Sequence, residues 1–344
     1  MTDINYSTDI CHELYFERNK PILGFDEAKD YNKWKRKVRL KFTELLGDTP
    51  EKTEPNLRIL SEKECETYRD ISFLFAAEEG CDVPCHLWIP NNAKKPCPVI
   101  ICLQGHSSGA HISMGEVKYP GDEQTAFSGN RNFAQQIIGL GYAALILEQR
   151  AFGQRKSEKM PDCISNSKCT CEHPSMAALL MGRTMIGERV WDVSRAIDVL
   201  EFFKDGIDTK KIGIMGNSGG GTVSYYAACM EPRIKIAMPS CSISTYRRSI
   251  ISMRHCVCNY IPGIAKYFEM ADLSCLIAPR PLVIVSGRYD VGFPLEGVNE
   301  TFSEVRKIYE KEGAPDNCRL IVGNEGHRFY KEPSWKVFSE MANW

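Results

Sequence analysis

No stretch of this 344-residue chain approaches the roughly 18 consecutive apolar residues that a membrane-spanning helix requires, so no helical membrane span is expected. Blocks of five or more like charges are also missing, and the formal net charge is only −1. That argues against nucleic acid or another polyanion as a partner. The most basic run, Lys33-Trp34-Lys35-Arg36-Lys37, sits in a helix-like stretch that also carries acids and reads as a solvated helix face. The opening residues, Met1-Thr2-Asp3-Ile4-Asn5, lack the apolar core of a secretory signal, so a cytoplasmic location is expected. There is no internal repeat and no low-complexity linker.

Cysteine is the residue in excess. In a long chain with no visible signal, fifteen cysteines read as reduced thiols, and an odd number cannot complete a set of intrachain disulfides. Cys102 and Cys229 fall inside apolar segments, where the thiol acts as a small hydrophobe. Two groups invite a metal reading: Cys163, Cys169, Cys171 and His173 in one, His255, Cys256 and Cys258 in the other. Their spacing is poor against the Cys-x(2–4)-Cys pairs of zinc sites. Both are expected to be loops carrying thiols, with no metal and no other cofactor.

Periodicity divides the chain. Residues 26–46 carry Tyr31, Trp34, Val38, Phe42 and Leu45 at steps of three and four before Gly47, the pattern of an amphipathic helix. Residues 1–54 therefore form an expected N-terminal helical extension. Residues 55–344 form the expected catalytic domain. Alternation through Ile71, Phe73 and Phe75 predicts antiparallel strands near its start. Buried runs then alternate with amphipathic helices: 98–103, 142–147, 211–215, 234–238, 281–285 and 319–322. Such a rhythm predicts an α/β fold, a mostly parallel central sheet with helices on both faces. Cap-like insertions at 107–130, 151–183 and 241–279 interrupt it. They should leave the carboxyl ends of strands and line a crevice there.

One short motif carries chemistry. Gly216-Asn217-Ser218-Gly219-Gly220 follows the apolar run at 212–215 and precedes a small-residue helix. This is G-x-S-x-G in strand–turn–helix context, which holds a serine on a tight turn as a nucleophile. A serine hydroxyl needs a base, and the base needs an orienting acid. Asp290 lies 72 residues beyond the serine and His327 lies 37 beyond Asp290, each just past a later strand. Ser218, Asp290 and His327 are thus the expected catalytic residues. The Gly219 N–H is one expected oxyanion donor. The loop Gln104-Gly105-His106-Ser107-Ser108-Gly109 should supply the other, from the His106 N–H or, next in order, Ser107. No carboxylate follows the strand at 234–238 before Glu269 and Asp272. Glu148, near Arg150, reads as half of a structural ion pair. His106 and His111 read as structural or lining residues and not as general bases.

Further stretches resemble the dienelactone hydrolase and acetyl xylan esterase branch of the α/β-hydrolases. Gln104-Gly105-His106-Ser107-Ser108-Gly109 resembles that branch's His-Gly-x-x-x-Gly loop, with Gln104 for the usual His. Glu148-Gln149-Arg150-Ala151-Phe152-Gly153 resembles its Asp-x-Arg-Gly-x-Gly segment, with Glu148 and Ala151 as departures. Arg189-Val190-Trp191-Asp192 and 277–282 are similar too, and the likeness covers about residues 30–344. The resemblance implies the α/β-hydrolase fold, oxyanion donors at His106 and Gly219, and a small-molecule ester as substrate, such as an acetyl ester of a carbohydrate. The alternatives are a peptidase of the prolyl-oligopeptidase type and a non-catalytic hydrolase fold used for binding. The first usually carries a large propeller, for which the residues before the first long buried strand leave no room. The chain allows a homo-oligomer without specifying a symmetry.

Overall fold

The apolar runs become neighbouring strands. The computed structural model describes residues 7–159 and 168–344. Its strands are β1 (Arg58–Glu64), β2 (Tyr68–Glu78), β3 (Cys81–Pro90), β4 (Cys97–Leu103), β5 (Ala143–Leu147), β6 (Ile207–Asn217), β7 (Ile234–Ser240), β8 (Leu282–Gly287) and β9 (Cys318–Gly323). They form one nine-stranded sheet in the order β1-β2-β3-β5-β4-β6-β7-β8-β9. The first three strands run antiparallel to their neighbours, and β5, β4, β6, β7, β8 and β9 pair in parallel.

Strands β4, β5 and β8 are buried along nearly their whole length because both of their faces are covered. In β4, Val99, Ile101 and Leu103 enter the larger core, while Ile100 and Cys102 enter the smaller one. In β8 the same alternation sends Leu282 and Ile284 one way and Val283 and Val285 the other. Helices Tyr31–Leu46, Met185–Leu200, Gly219–Met230 and Leu295–Lys311 cover the first face. Helices Phe133–Gly139 and Lys331–Ala342 cover the second.

The expected helix over 26–46 begins at Tyr31. The Asp30 carboxylate caps it by accepting from the Lys33 N–H at 2.9 Å. Trp34, Val38 and Phe42 are buried as the periodicity predicts, and Leu46 joins them. They pack into the same core as the sheet. The last helix starts at Lys331, with Pro333 in its first turn, where the missing N–H breaks no helical bond.

The expected Glu148–Arg150 pair is not formed. Arg150 turns to Asp192, donating from Nη2 at 2.8 Å and from Nε at 2.9 Å, and Arg155 Nη1 reaches the same carboxylate at 2.7 Å. Glu148 instead accepts from the Ala110 N–H at 3.1 Å and the Gln154 N–H at 3.4 Å. Sequence adjacency misled here: residues 148 and 150 leave a strand end in different directions, and the carboxylate that meets Arg150 comes from a helix. Asp192 is 0% exposed and has two arginines on it. Removing it takes from Arg155 its carboxylate partner and leaves Arg150 to Glu78 and Glu188. Asp192→Ala should therefore cost about 3–5 kcal/mol in a urea titration, far more than a surface pair would.

Candidate active site

The serine sits where β6 meets its helix. Ser218 has φ +59°, a left-handed conformation that is rare outside glycine, and its N–H donates to Ser240 O at 2.8 Å. The turn is crowded on both sides. A Cβ on Gly216 would lie 2.5 Å from the Gly220 backbone, and a Cβ on Gly220 would lie 2.1 Å from Leu103 O. Only glycine fits at either position. Together they hold the serine on the crest of the turn, between the ends of β4 and β7.

The sheet changes direction of travel at β4, with β5 on one side and β6 on the other, and ligand crevices open at such points. Here a cavity of about 370 Å³ is lined by Ser218, His106, Arg131, Asp290 and His327, by residues of the 253–259 segment, and by Val291, Gly292 and Phe293.

Asp290 and His327 meet as expected. His327 Nδ1 lies 2.7 Å from Asp290 Oδ2, while Asp290 Oδ1 accepts from the N–H groups of Gly292 at 2.9 Å and Phe293 at 3.2 Å. Burial alone would push the Asp290 carboxyl up. The hydrogen bond and charge of His327, with the Gly292 N–H, hold it below the ordinary carboxylate range. The acid is therefore an anion at neutral pH. The position after β7 is taken by Cys241, whose buried thiol is pushed up to about 12 and brings no charge of its own. Phe293 stacks on the His327 ring at 6.2 Å between centroids. No hydrogen bond joins Ser218 Oγ to His327, although both line the cavity. This is the one contact of the expected relay left open.

The β4 loop lies against the serine. A Cβ on Gly105 would come within 2.6 Å of Asn217 O and 2.8 Å of Ser218 Cβ. The next N–H, that of His106, donates no hydrogen bond among the described residues. The Gly219 N–H opens a helix and has no intrahelical acceptor. Ser107 is buried, and its hydroxyl reaches back to Gly109 O at 3.5 Å. His111 is held by Asp122 at 2.9 Å, as a structural residue would be.

Arg131 is the site residue that periodicity could not find. It is buried, lines the cavity, donates to His327 O at 3.4 Å and reaches the Asn217 carboxamide oxygen at 3.1 Å. It follows an insertion and carries no motif. The aromatics of the insertions divide: Phe152, Tyr246 and Phe268 are buried, while Tyr119, Phe127 and Tyr260 are exposed. None of them lines this cavity.

The two cysteine groups read as separate loops converge. His106 Nε2 and the Sγ atoms of Cys171, Cys256 and Cys258 lie within 4.8 Å of one another, beside the serine. Cys163 lies outside the described residues, as does the side chain of Cys169, and His173 is exposed. His255 is turned to Ser249 Oγ at 3.1 Å.

The sequence profile of the abhydrolase family matches residues 5–334. The chain belongs to that family. YtaP of Bacillus subtilis (strain 168), described as a candidate hydrolase, is 27% identical over 286 residues, covering 82% of this chain and 90% of its own. A 4-O-methyl-glucuronoyl methylesterase of Phanerochaete carnosa is 27% identical over a shorter stretch, 40% of each chain. Among solved structures, a candidate acetyl xylan esterase of Bacteroides fragilis NCTC 9343 superposes with a TM-score of 0.77 at 19% identity, covering 93% of this chain and 83% of that one. A glucuronoyl esterase from Solibacter usitatus superposes with a TM-score of 0.70 at 17% identity, covering 94% and 97%. The fold is that of the α/β-hydrolases, with helices on both faces of a mostly parallel sheet. No helix among the described residues is long and apolar enough to cross a membrane.

Proposed function

We propose that this abhydrolase is a serine carboxylic ester hydrolase acting on small acyl esters of carbohydrates through an acyl-serine intermediate. The observation that carries the reading is the buried, ionised Asp290 bonded to His327 across a cavity from a serine held at φ +59°. His327 takes the Ser218 proton as Oγ attacks the ester carbonyl. Asp290 fixes the imidazole tautomer and stabilises the imidazolium. The N–H groups of Gly219 and His106 receive the oxyanion. His327 returns the proton to the leaving alcohol, then activates the water that releases the acid. Arg131 and Arg254 line the cavity with Asn259 and offer donors to sugar hydroxyls.

A panel of p-nitrophenyl esters of increasing acyl length, followed by sugar acetates, tests this. Two-carbon acyl groups should give kcat/KM at least about tenfold above six-carbon ones, since a methylene that does not fit costs about 1–3 kcal/mol. A flat profile, or amide turnover above ester turnover, would reject the small-acyl assignment. Similarity to the methylesterase supports a second reading, in which the sugar is the acyl part, and methyl uronate esters in the same panel distinguish it. A cytoplasmic location goes with this reading, because a chain with fifteen cysteines suits a reducing compartment.

A further inference from the structure

The thiol–imidazole cluster beside Ser218 is not used by the ester chemistry. Its four atoms come from three separate segments. His106 follows β4, Cys171 precedes the helix Glu172–Leu180, and Cys256 and Cys258 flank the start of the turn Val257–Asn259. Cys171 Sγ lies 3.0 Å from Cys256 Sγ and 3.6 Å from His106 Nε2, and Cys258 Sγ lies 3.2 Å from His106 Nε2. All remaining pairs fall within 4.8 Å. Tetrahedral zinc, with Zn–S of about 2.3 Å and Zn–N of about 2.0 Å, requires ligand atoms roughly 3.5–3.8 Å apart. The observed spread brackets that value.

We infer that His106, Cys171, Cys256 and Cys258 form a structural Zn²⁺ site that fastens two cap segments to the oxyanion loop.

Three soft thiolates and one imidazole are a donor set that selects zinc, and four protein ligands close the coordination sphere. The ion is then a structural clamp with no open position for water or substrate. Other buried cysteines of this chain, such as Cys102 and Cys229, sit singly in apolar strands and helices, where a thiol needs no ligand. A Cys171–Cys256 disulfide would need a bond of about 2.05 Å and would make no use of Cys258 or His106.

Charge supports the assignment. Binding Zn²⁺ releases the three thiol protons to solvent and uses the neutral imidazole, which leaves the site with a net charge of −1. Arg189 is 1% exposed, lies 4.2 Å over the Phe152 ring, and Phe152 in turn packs on the His106 ring at 5.0 Å. Its Nη1 has no hydrogen-bond partner among the described residues. A buried cation with a spare N–H is the countercharge such a site requires.

The position gives the clamp a purpose. His106 carries the proposed oxyanion N–H, and its ring lies 3.3 Å from where a Gly219 Cβ would stand. Cys256 lines the cavity that holds Ser218. Fixing the His106 ring at Nε2 fixes the backbone that meets the substrate, as outer-shell contacts do at other active sites.

The full-length protein, purified under reducing conditions from zinc-supplemented cells, should carry one zinc per chain by inductively coupled plasma mass spectrometry. After stripping with a chelator, titration with Co²⁺ should give one equivalent of a tetrahedral thiolate spectrum, with sulfur-to-cobalt charge-transfer bands and intense visible bands. Cys258→Ser and Cys171→Ser should each weaken Co²⁺ binding at least tenfold, while Ser218→Ala should retain one zinc despite losing esterase activity. That last variant separates this inference from the proposed reaction. Folded, reduced wild-type protein that takes up no Co²⁺ with a thiolate spectrum would overturn the site. So would a Cys171–Cys256 disulfide in non-reducing peptide maps of protein as isolated. The wild-type spectrum decides the matter even if a cysteine variant fails to fold.

Discussion

With p-nitrophenyl acetate at saturation, Ser218→Ala is expected to lower kcat by about four to six orders of magnitude, leaving only what the oxyanion donors and binding contribute. Alanine has no nucleophile to offer, and the neighbouring Thr222 hydroxyl is turned to the Ser218 carbonyl oxygen at 3.3 Å. The conformational cost is small. Alanine tolerates φ +59° about as poorly as serine does, and the turn is set by its neighbours, Gly216 and Gly220. Circular dichroism and thermal unfolding should therefore match the wild type. A loss of activity accompanied by unfolding would not count as support, and activity within tenfold of wild type would remove the mechanism.

Asp290→Asn should lower kcat by about four orders of magnitude while changing KM little. The carboxylate accepts from His327 at Nδ1 and from two backbone N–H groups at its other oxygen. A carboxamide keeps the shape. It can satisfy the backbone donors only by turning its NH₂ toward His327, and this stabilises the tautomer that cannot take the serine proton. The substitution also carries a pH signature. The native carboxyl is held below its ordinary range, so the stability it contributes is present above an unfolded pKa of about 3.9 and is lost as pH falls through its lower folded value. Asp290→Asn should flatten the acid limb of stability measured by urea titration across that window.

These residues were legible because each stands just past an apolar run that forms a strand. The runs at 211–215, 281–285 and 319–322 could be recognised from composition alone, and the order serine, acid, histidine then followed the chain. Gly105 could be read in the same way, as the first glycine past β4. The rest of the site was not legible, for a physical reason. Arg131, Phe293 and the 253–259 segment reach the cavity from loops, whose paths are set by tertiary contacts and not by periodicity. Glu148 and Arg150 were misread because adjacency in sequence says little about where two side chains point once a strand ends. The cysteines show the same limit. Cys171 and Cys258 are 87 residues apart, and local spacing counts only ligands that share a loop. Three cysteines from two groups that each looked too poor to bind a metal converge on His106 only when the insertions fold over it.

Labelling with a fluorophosphonate probe tests the central claim most directly, because the reagent reports an activated serine without requiring knowledge of the substrate. Folded wild-type protein should acquire one adduct per chain by intact mass. Peptide mapping should place it on the fragment containing Ser218, and denaturation beforehand should abolish it. An adduct on another residue, or no adduct in folded protein, would contradict the account.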